Sequence, residues 1–161
     1  MKHERVTKKI GFLYWSNRKL FTKIFPQPIG PGQAAFLICL TEDTEVRQDS
    51  LVSMIGVDKA IGTRTIRKLN EAGYIQRRRD PENYRAYLIS LTDEGSKMKR
   101  AILDVLDSIN KSLFQDFTDE EQEIMLNYLD RMIENVRQKS LSCSEESARK
   151  IHISNQSVEI T

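Results

Sequence analysis

The chain has 161 residues, 39% hydrophobic and 30% charged, with 25 Lys and Arg against 23 Asp and Glu. That length supports one domain with a real core, or two small modules sharing one, and no run approaches the roughly 20 apolar residues of a membrane span. The opening MKHERVTKKI is basic but is followed by no apolar signal region, so a cytoplasmic protein without a membrane partner is expected.

Charge is unevenly spread. Residues 1–25 hold seven Lys and Arg against one acid, and residues 58–90 hold eight against four. Residues 26–57 hold one against four, and residues 91–139 hold seven against eleven. A near-neutral chain with a basic middle block fits contact with a polyanion through one face. Of the two cysteines, Cys39 lies in the apolar run AAFLICL and reads as a small hydrophobe, while Cys143 lies in a serine-rich stretch. They imply no disulfide framework.

Residues 9–25 place Ile10, Leu13, Tyr14, Leu20, Phe21 and Ile24 at helical spacing. PQPIGPG then interrupts the pattern, because its prolines and glycines cannot continue a helix. A second, apolar helix is predicted near 32–41 and a third over 47–55, with Leu51, Met54 and Ile55 inward. Asp58 is suited to cap a fourth helix over 59–72 by accepting from its free N–H groups, and Gly73 is suited to the left-handed position after it. Gly62, Ile66 and Leu69 form one face of that helix, and Ala60, Thr63, Arg64 and Arg67 form the other. Glycine inside a helix costs about 1 kcal/mol relative to alanine, so a neighbouring backbone is expected close to Gly62.

Residues 74–79 and 85–91 read as two strands around DPENY, the second alternating apolar and polar. Thr92, Asp93 and Glu94 start a helix over 93–116 whose stripe runs Met98, Ala101, Ile102, Val105, Ile109, Leu113 and on to Phe117. Thr118 and Glu121 form a capping box for a last helix through 139, with Met125, Leu129, Met132 and Val136 on one side. Two long amphipathic helices exceed what so small a chain can cover, so pairing with the first helix across a homodimer is expected. Residues 140–161 read as a flexible tail that could form a strand with a partner.

The expected fold is therefore mainly α with a small β-hairpin wing, a winged helix-turn-helix with long N- and C-terminal dimerisation helices. Its parts are an N-terminal dimerisation helix (1–30), a DNA-binding lobe (31–91), C-terminal dimerisation helices (92–139) and the tail (140–161). In that arrangement the second helix of the pair enters a DNA major groove and the ribbon reaches phosphates or the minor groove. Arg64 and Arg67, one turn apart, suit guanine edges or phosphates, and Thr63 offers a hydroxyl and a methyl. Arg77, Arg79 and Arg85 would meet the phosphate charge, with Lys59, Ala60 and Asn83 beside them. A solvated strand edge protected by charge is the simpler reading of three adjacent arginines. Their place directly after a helix bearing Thr63, Arg64 and Arg67 weighs against it.

Residues 57–95, VDKAIGTRTIRKLNEAGYIQRRRDPENYRAYLISLTDEG, resemble the winged-helix core of the multiple-antibiotic-resistance regulator (MarR) family. The shared pattern is a capped helix with Thr-Arg, Leu-x-x-x-Gly, an arginine-rich strand, Asp-Pro at the wing and Leu-Thr-x-x-Gly after it. The resemblance extends more loosely over 9–139. It implies a homodimer on a near-palindromic double-stranded operator, acting as a repressor that a small-molecule effector releases. It also implies recognition-helix roles for Thr63 and Arg64 and a minor-groove role for Arg85. Asp80 and Pro81 match the start of the wing. Asn83 departs from the family, which has an aspartate there bracing the wing arginines by a salt bridge. Gly62 departs too, standing where a larger apolar residue is usual.

An effector site is expected among Tyr14, Trp15, Phe36, Tyr74 and Tyr87, although aromatics at such spacing also build ordinary cores. No catalytic residues, metal ligands or cofactor are expected. The only histidines, His3 and His152, sit near the ends, far in sequence from either cysteine, and no nucleophile motif or glycine-rich phosphate loop is present. The rival reading is a winged-helix module that binds another protein instead of DNA, and the salt dependence of DNA binding separates the two.

Overall fold

The computed structural model describes residues 5–25 and 28–156, with side-chain surroundings as far as residue 140. His3, the side chains of Cys143 and His152, and the expectation for 157–161 lie outside the described residues. The chain divides into two compact units, residues 1–113 and 114–161.

In the first unit, helix α1 (Val6–Ile24) is followed by α2 (Pro31–Ile38), with Pro31 in its first turn and the Gly30 N–H donating to Gln33 Oε1 at 3.2 Å. A short strand β1 (Val46–Arg47) leads into α3 (Gln48–Ile55), then α4 (Lys59–Glu71), strands β2 (Ile75–Arg79) and β3 (Tyr87–Leu91), and α5 (Asp93–Leu113). The sheet order is β1-β3-β2, antiparallel throughout.

The sequence signals for α4 are realised atom by atom. Asp58 Oδ1 accepts from the Ala60 N–H at 2.8 Å. At the other end Gly73 adopts φ +77, its N–H bonds to the Asn70 carbonyl, and the Tyr74 N–H bonds to the Leu69 carbonyl, each at 3.0 Å. That pair of bonds is the Schellman termination, and it turns the chain directly into β2. Gly62 is buried, but what lies against it is the Val52 side chain: a Cβ there would sit 2.6 Å from Val52 Cγ2. The close neighbour is thus a side chain where a backbone was expected.

Gly95 does meet backbone. A Cβ on it would lie 1.8 Å from the Tyr74 carbonyl oxygen, so the first turn of α5 rests on the chain entering β2. Thr92 joins the same corner, its hydroxyl donating to the Gly73 carbonyl (2.7 Å) and accepting from the Gly95 N–H (3.0 Å). These bonds explain the Leu-Thr-x-x-Gly pattern in physical terms.

The core runs through Phe36, Leu37, Leu40, Leu51, Ile66, Leu69, Ile89 and Ile102, all fully buried. Each such side chain stabilises the fold by roughly 1.5–3 kcal/mol relative to an exposed one. The core therefore ties α2, α3, α4, β3 and α5 together and holds α4 and the wing in fixed relation.

Several sequence expectations needed adjustment. Strand β1 carries no sequence signal, since two residues leave no alternation to read. The second wing strand begins at Tyr87, because residues 84–86 belong to the tip turn. Helix α5 ends at Leu113 and not at 116, with Asp116 in a left-handed conformation (φ 66). Of the predicted stripe on α1, only Phe21 is buried, while Ile10, Leu13, Tyr14 and Ile24 are exposed. Met54 is exposed as well, although it was predicted to face inward.

In the second unit, helix α6 runs Asp119–Gln156. The predicted capping box forms: the Thr118 N–H donates to Glu121 Oε2 (2.9 Å) and the Glu121 N–H donates to Thr118 Oγ1 (3.2 Å). The backbone stays helical past 139, where composition predicted a loose tail, because no glycine or proline interrupts it. Met125, Leu129, Met132 and Val136 are exposed.

Candidate nucleic-acid interface

Burying Ile66 and Leu69 turns the opposite side of α4 to solvent. Lys59, Ala60, Thr63, Arg64 and Arg67 are all exposed and, with Asp58, line one shallow concave surface. All five α4 residues picked out from the sequence are thus brought together. The cationic heads of Lys59 and Arg64 have no partner among the described residues. Arg67 lies 3.5 Å from Glu71 one turn on, with both side chains well exposed. Such a pair holds weakly and can exchange for a phosphate.

Strand β2 delivers the arginines on alternate faces. Arg77 and Arg79 share a face with Tyr87, since Arg79 pairs with Tyr87 in the register and Arg77 with Ile89. The Arg77 guanidinium carbon stands 3.3 Å from the Tyr87 ring centroid and that of Arg79 stands 4.2 Å from it. Arg77 Nε also donates to Oε1 of the buried Gln48 at 2.8 Å, which fixes the strand to the start of α3. On the other face Arg78 grips Glu45 through both carboxylate oxygens, with Nε to Oε1 at 2.6 Å. That hydrogen-bonded guanidinium holds the Glu45 carboxyl below its ordinary value and raises the Arg78 pKa in turn.

The wing tip is closely bonded. The Asp80 N–H donates to the Ala86 carbonyl (3.2 Å), the Ala86 N–H to the Asn83 carbonyl (2.8 Å) and the Glu82 N–H to Asp80 Oδ1 (3.0 Å). Arg79 Nη1 donates to the Tyr84 carbonyl at 2.8 Å. Asn83 Oδ1 accepts from the Arg85 N–H at 3.1 Å, so its side chain shapes the turn. The Arg85 guanidinium is exposed at the tip without a partner among the described residues.

A capped helix with an open cationic face, beside a bonded ribbon carrying an arginine at its tip, is a winged helix-turn-helix. Comparison with known proteins agrees. The MarR family profile matches residues 29–87. The chain is 31% identical over 106 residues to the uncharacterised HTH-type transcriptional regulator YwoH of Bacillus subtilis, covering 66% of this chain and 77% of that one. It is 28% identical over 108 residues to the regulator YdgJ of the same organism, covering 67% of this chain and 66% of that one, so it spans just under two thirds of this relative. Among solved structures, a MarR transcriptional regulator from Methanosarcina mazei superposes with a TM-score of 0.75 at 32% identity, covering 84% of this chain and 91% of that one.

The chain belongs to the MarR family. It is a DNA-binding winged helix-turn-helix transcriptional regulator, from a family whose members are regulators and not enzymes.

For a MarR-family chain the division of labour among the arginines is informative. Arg64 and Arg85 have no partner among the described residues, Arg67 is loosely paired, and Arg77, Arg78 and Arg79 are engaged within the fold. Arg77, expected against phosphate, donates Nε to Gln48 and stacks on Tyr87. Glu45 and Gln48 carry no local signal, because their roles depend on pairing across the fold with residues 33 and 29 positions away, respectively.

The aromatics expected at an effector site lie in different surroundings. Phe36 is 2% exposed in the core, Tyr74 is half-buried at the α5 corner, Tyr87 lies under the wing arginines and Trp15 is 67% exposed. Only Tyr14 lines the largely apolar groove of about 400 Å³ between α1, α2 and α5, with Phe21, Ala34, Ile38, Leu106 and Arg18 among its walls. The five lie on four separate segments, α1, α2, the corner before β2 and β3, which is why the set scatters. The half-covered stripes of α1 and α5 were the signal for this groove. Among the described residues no cluster of His, Cys, Asp or Glu could hold a metal ion, and no helix is long and apolar enough to cross a membrane. Cys39 is a free thiol, half-buried against the core.

Proposed function

We propose that the chain is a cytoplasmic homodimeric repressor that grips a near-palindromic operator with two copies of one surface. Thr63, Arg64 and Arg67 enter the major groove, Lys59 and the Ala60 end of α4 approach the backbone, and Arg85 reaches the minor groove. Arg79 supports the wing and keeps donors for phosphate, while Asn83 holds the turn that projects Arg85. The observation that carries this reading is the joint exposure of five α4 residues on one concavity beside an arginine-tipped wing.

The dimer is supported by apolar surface that the single chain leaves uncovered. Phe12 is 74% exposed on α1, and Ile124, Leu126, Ile133 and Val136 are exposed on α6. Residues 1–30 and 92–139 are the segments assigned to dimerisation. The groove beside Tyr14 and Arg18 offers a small, mostly apolar effector a seat next to α2, which belongs to the DNA-binding lobe, and α5, which packs on it.

The test is to capture duplexes from a random pool with the purified protein and repeat the capture with variants. Arg64→Ala is expected to weaken binding and blur the recovered sequence, whereas Arg85→Ala weakens binding more evenly across sequences. Recovery of one unchanged sequence by both variants at wild-type affinity refutes the assignment.

A further inference from the structure

We infer that Tyr87 is a positioning residue for DNA recognition: its ring is the uncharged platform that sets the direction of the wing. This rests on the reading of the wing as part of the DNA-binding surface.

Two guanidinium groups two residues apart on one strand face repel each other, yet both converge on a single ring, at 3.3 and 4.2 Å from its centroid. The face of an aromatic ring is electronegative, and stacking on it lowers the cost of bringing two cations together. No acid is hydrogen-bonded or ion-paired to either of them among the described residues. Arg77 uses Nε on Gln48, and Arg79 uses Nη1 on the Tyr84 carbonyl.

These contacts form one chain of support. Gln48, buried at the start of α3, holds Arg77; Arg77 and Arg79 stack on Tyr87; Arg79 holds the carbonyl of Tyr84 at the tip. Arg85, whose guanidinium has no partner among the described residues, follows Tyr84 directly. The ring therefore connects the helix-turn-helix to the residue that must reach DNA. The Tyr87 hydroxyl has no partner among the described residues, so the ring face and not the phenol is what matters. An uncharged platform also adds no negative charge to the face that carries Arg77 and Arg79, as contact with a polyanion requires.

The experiment compares Tyr87→Phe, Tyr87→Leu, Arg79→Lys and Arg64→Ala in the full-length protein. Each is titrated with the tightest duplex selected by wild type and with a scrambled duplex of equal length, and each is melted thermally. Tyr87→Leu keeps an apolar side chain but not the π face, and is expected to lose about tenfold on the selected duplex with little change on the scrambled one. Tyr87→Phe keeps the face and is expected to match wild type. Arg79→Lys keeps the charge but not the planar stack, and is expected to lose in the same direction and to add nothing when combined with Tyr87→Leu.

Wild-type binding by Tyr87→Leu overturns the inference. So does an equal loss on both duplexes accompanied by a collapse in melting temperature, which marks a merely structural ring. A loss in Tyr87→Phe as large as in Tyr87→Leu overturns it too, by moving the role to the hydroxyl. Should Tyr87→Leu prove unfolded, Arg79→Lys decides alone: wild-type discrimination between the duplexes refutes the platform. Arg64→Ala separates the two levels of argument. If it loses binding while Tyr87→Leu does not, only the platform falls; if neither loses binding, the DNA-binding surface falls with it.

Discussion

The sharpest quantitative consequence concerns salt. In each protomer Lys59, Arg64 and Arg85 carry cationic heads without partners among the described residues, which makes three free cations on the proposed surface. The other arginines there already have partners: Arg67 has Glu71, Arg78 has Glu45, Arg77 has Gln48 and Arg79 has the Tyr84 carbonyl. A dimer on DNA therefore brings about six cations that need break nothing, and each phosphate neutralised lowers the slope of log affinity against log salt by about 0.9, giving about −5. Raising salt from about 50 to 200 mM then costs roughly a thousandfold in affinity. Arg64→Ala removes one cation per protomer and flattens the slope by about 2. Fluorescence anisotropy of a labelled duplex across a salt series measures both. A wild-type slope shallower than about −2, or an Arg64→Ala slope equal to wild type, refutes the count and with it the proposed surface.

Two further outcomes follow from particular contacts. Glu45→Gln releases Arg78 toward the polyanion, so affinity for scrambled DNA rises and the salt slope steepens by about 2 per dimer; an unchanged slope refutes this. The folded-state pKa of Glu45 is depressed, so its pairing contributes fully above the ordinary value of 4.5 and is lost as pH falls through the lower folded value. Carbon-detected NMR should find that carboxyl titrating below 4.5. Gly95→Ala drives a methyl to 1.8 Å from the Tyr74 carbonyl oxygen, where only backbone movement relieves it, and is expected to destabilise by about 3 kcal/mol or more in urea melts. Gly62→Ala should cost less, because it meets a Val52 side chain and gains about 1 kcal/mol of helix propensity.

What the sequence made legible was whatever is decided within a few residues. Asp58, Gly73, Thr92 and the Thr118–Glu121 pair announce helix ends because a cap acts on N–H or carbonyl groups one turn away. The face of α4 was legible for the same reason, since Ile66 and Leu69 set inside from outside at a fixed spacing. What stayed hidden depends on partners distant in sequence. Nothing near Glu45 indicates Arg78, and nothing near Gln48 indicates Arg77. The surroundings of the aromatics were hidden on the same ground, because Phe36 and Trp15 are alike as residues and opposite in burial. Asn83 is an instructive case: its lack of charge was readable, but the route by which the wing is braced without it was not.

That route bears on why three adjacent arginines are tolerated at all. Strand geometry alone separates them, sending Arg78 to one face and Arg77 with Arg79 to the other. Each face then offsets its charge differently. Arg78 receives a carboxylate, which cancels a charge where the sheet meets the chain before β1. Arg77 and Arg79 receive a ring and neutral oxygens, which hold the cations in place without cancelling them. A ribbon built with carboxylates on both faces would be as firm but would present phosphates with little net attraction. A ribbon with none would keep its charge but lose its direction. The observed mixture keeps net positive charge on the face and tip that carry Arg79 and Arg85, and fixes them through α3 to the helix that bears Arg64. Stiffness and charge are thus supplied by different residues, so they are separable by mutation: Tyr87 variants should alter the first and Arg64 variants the second.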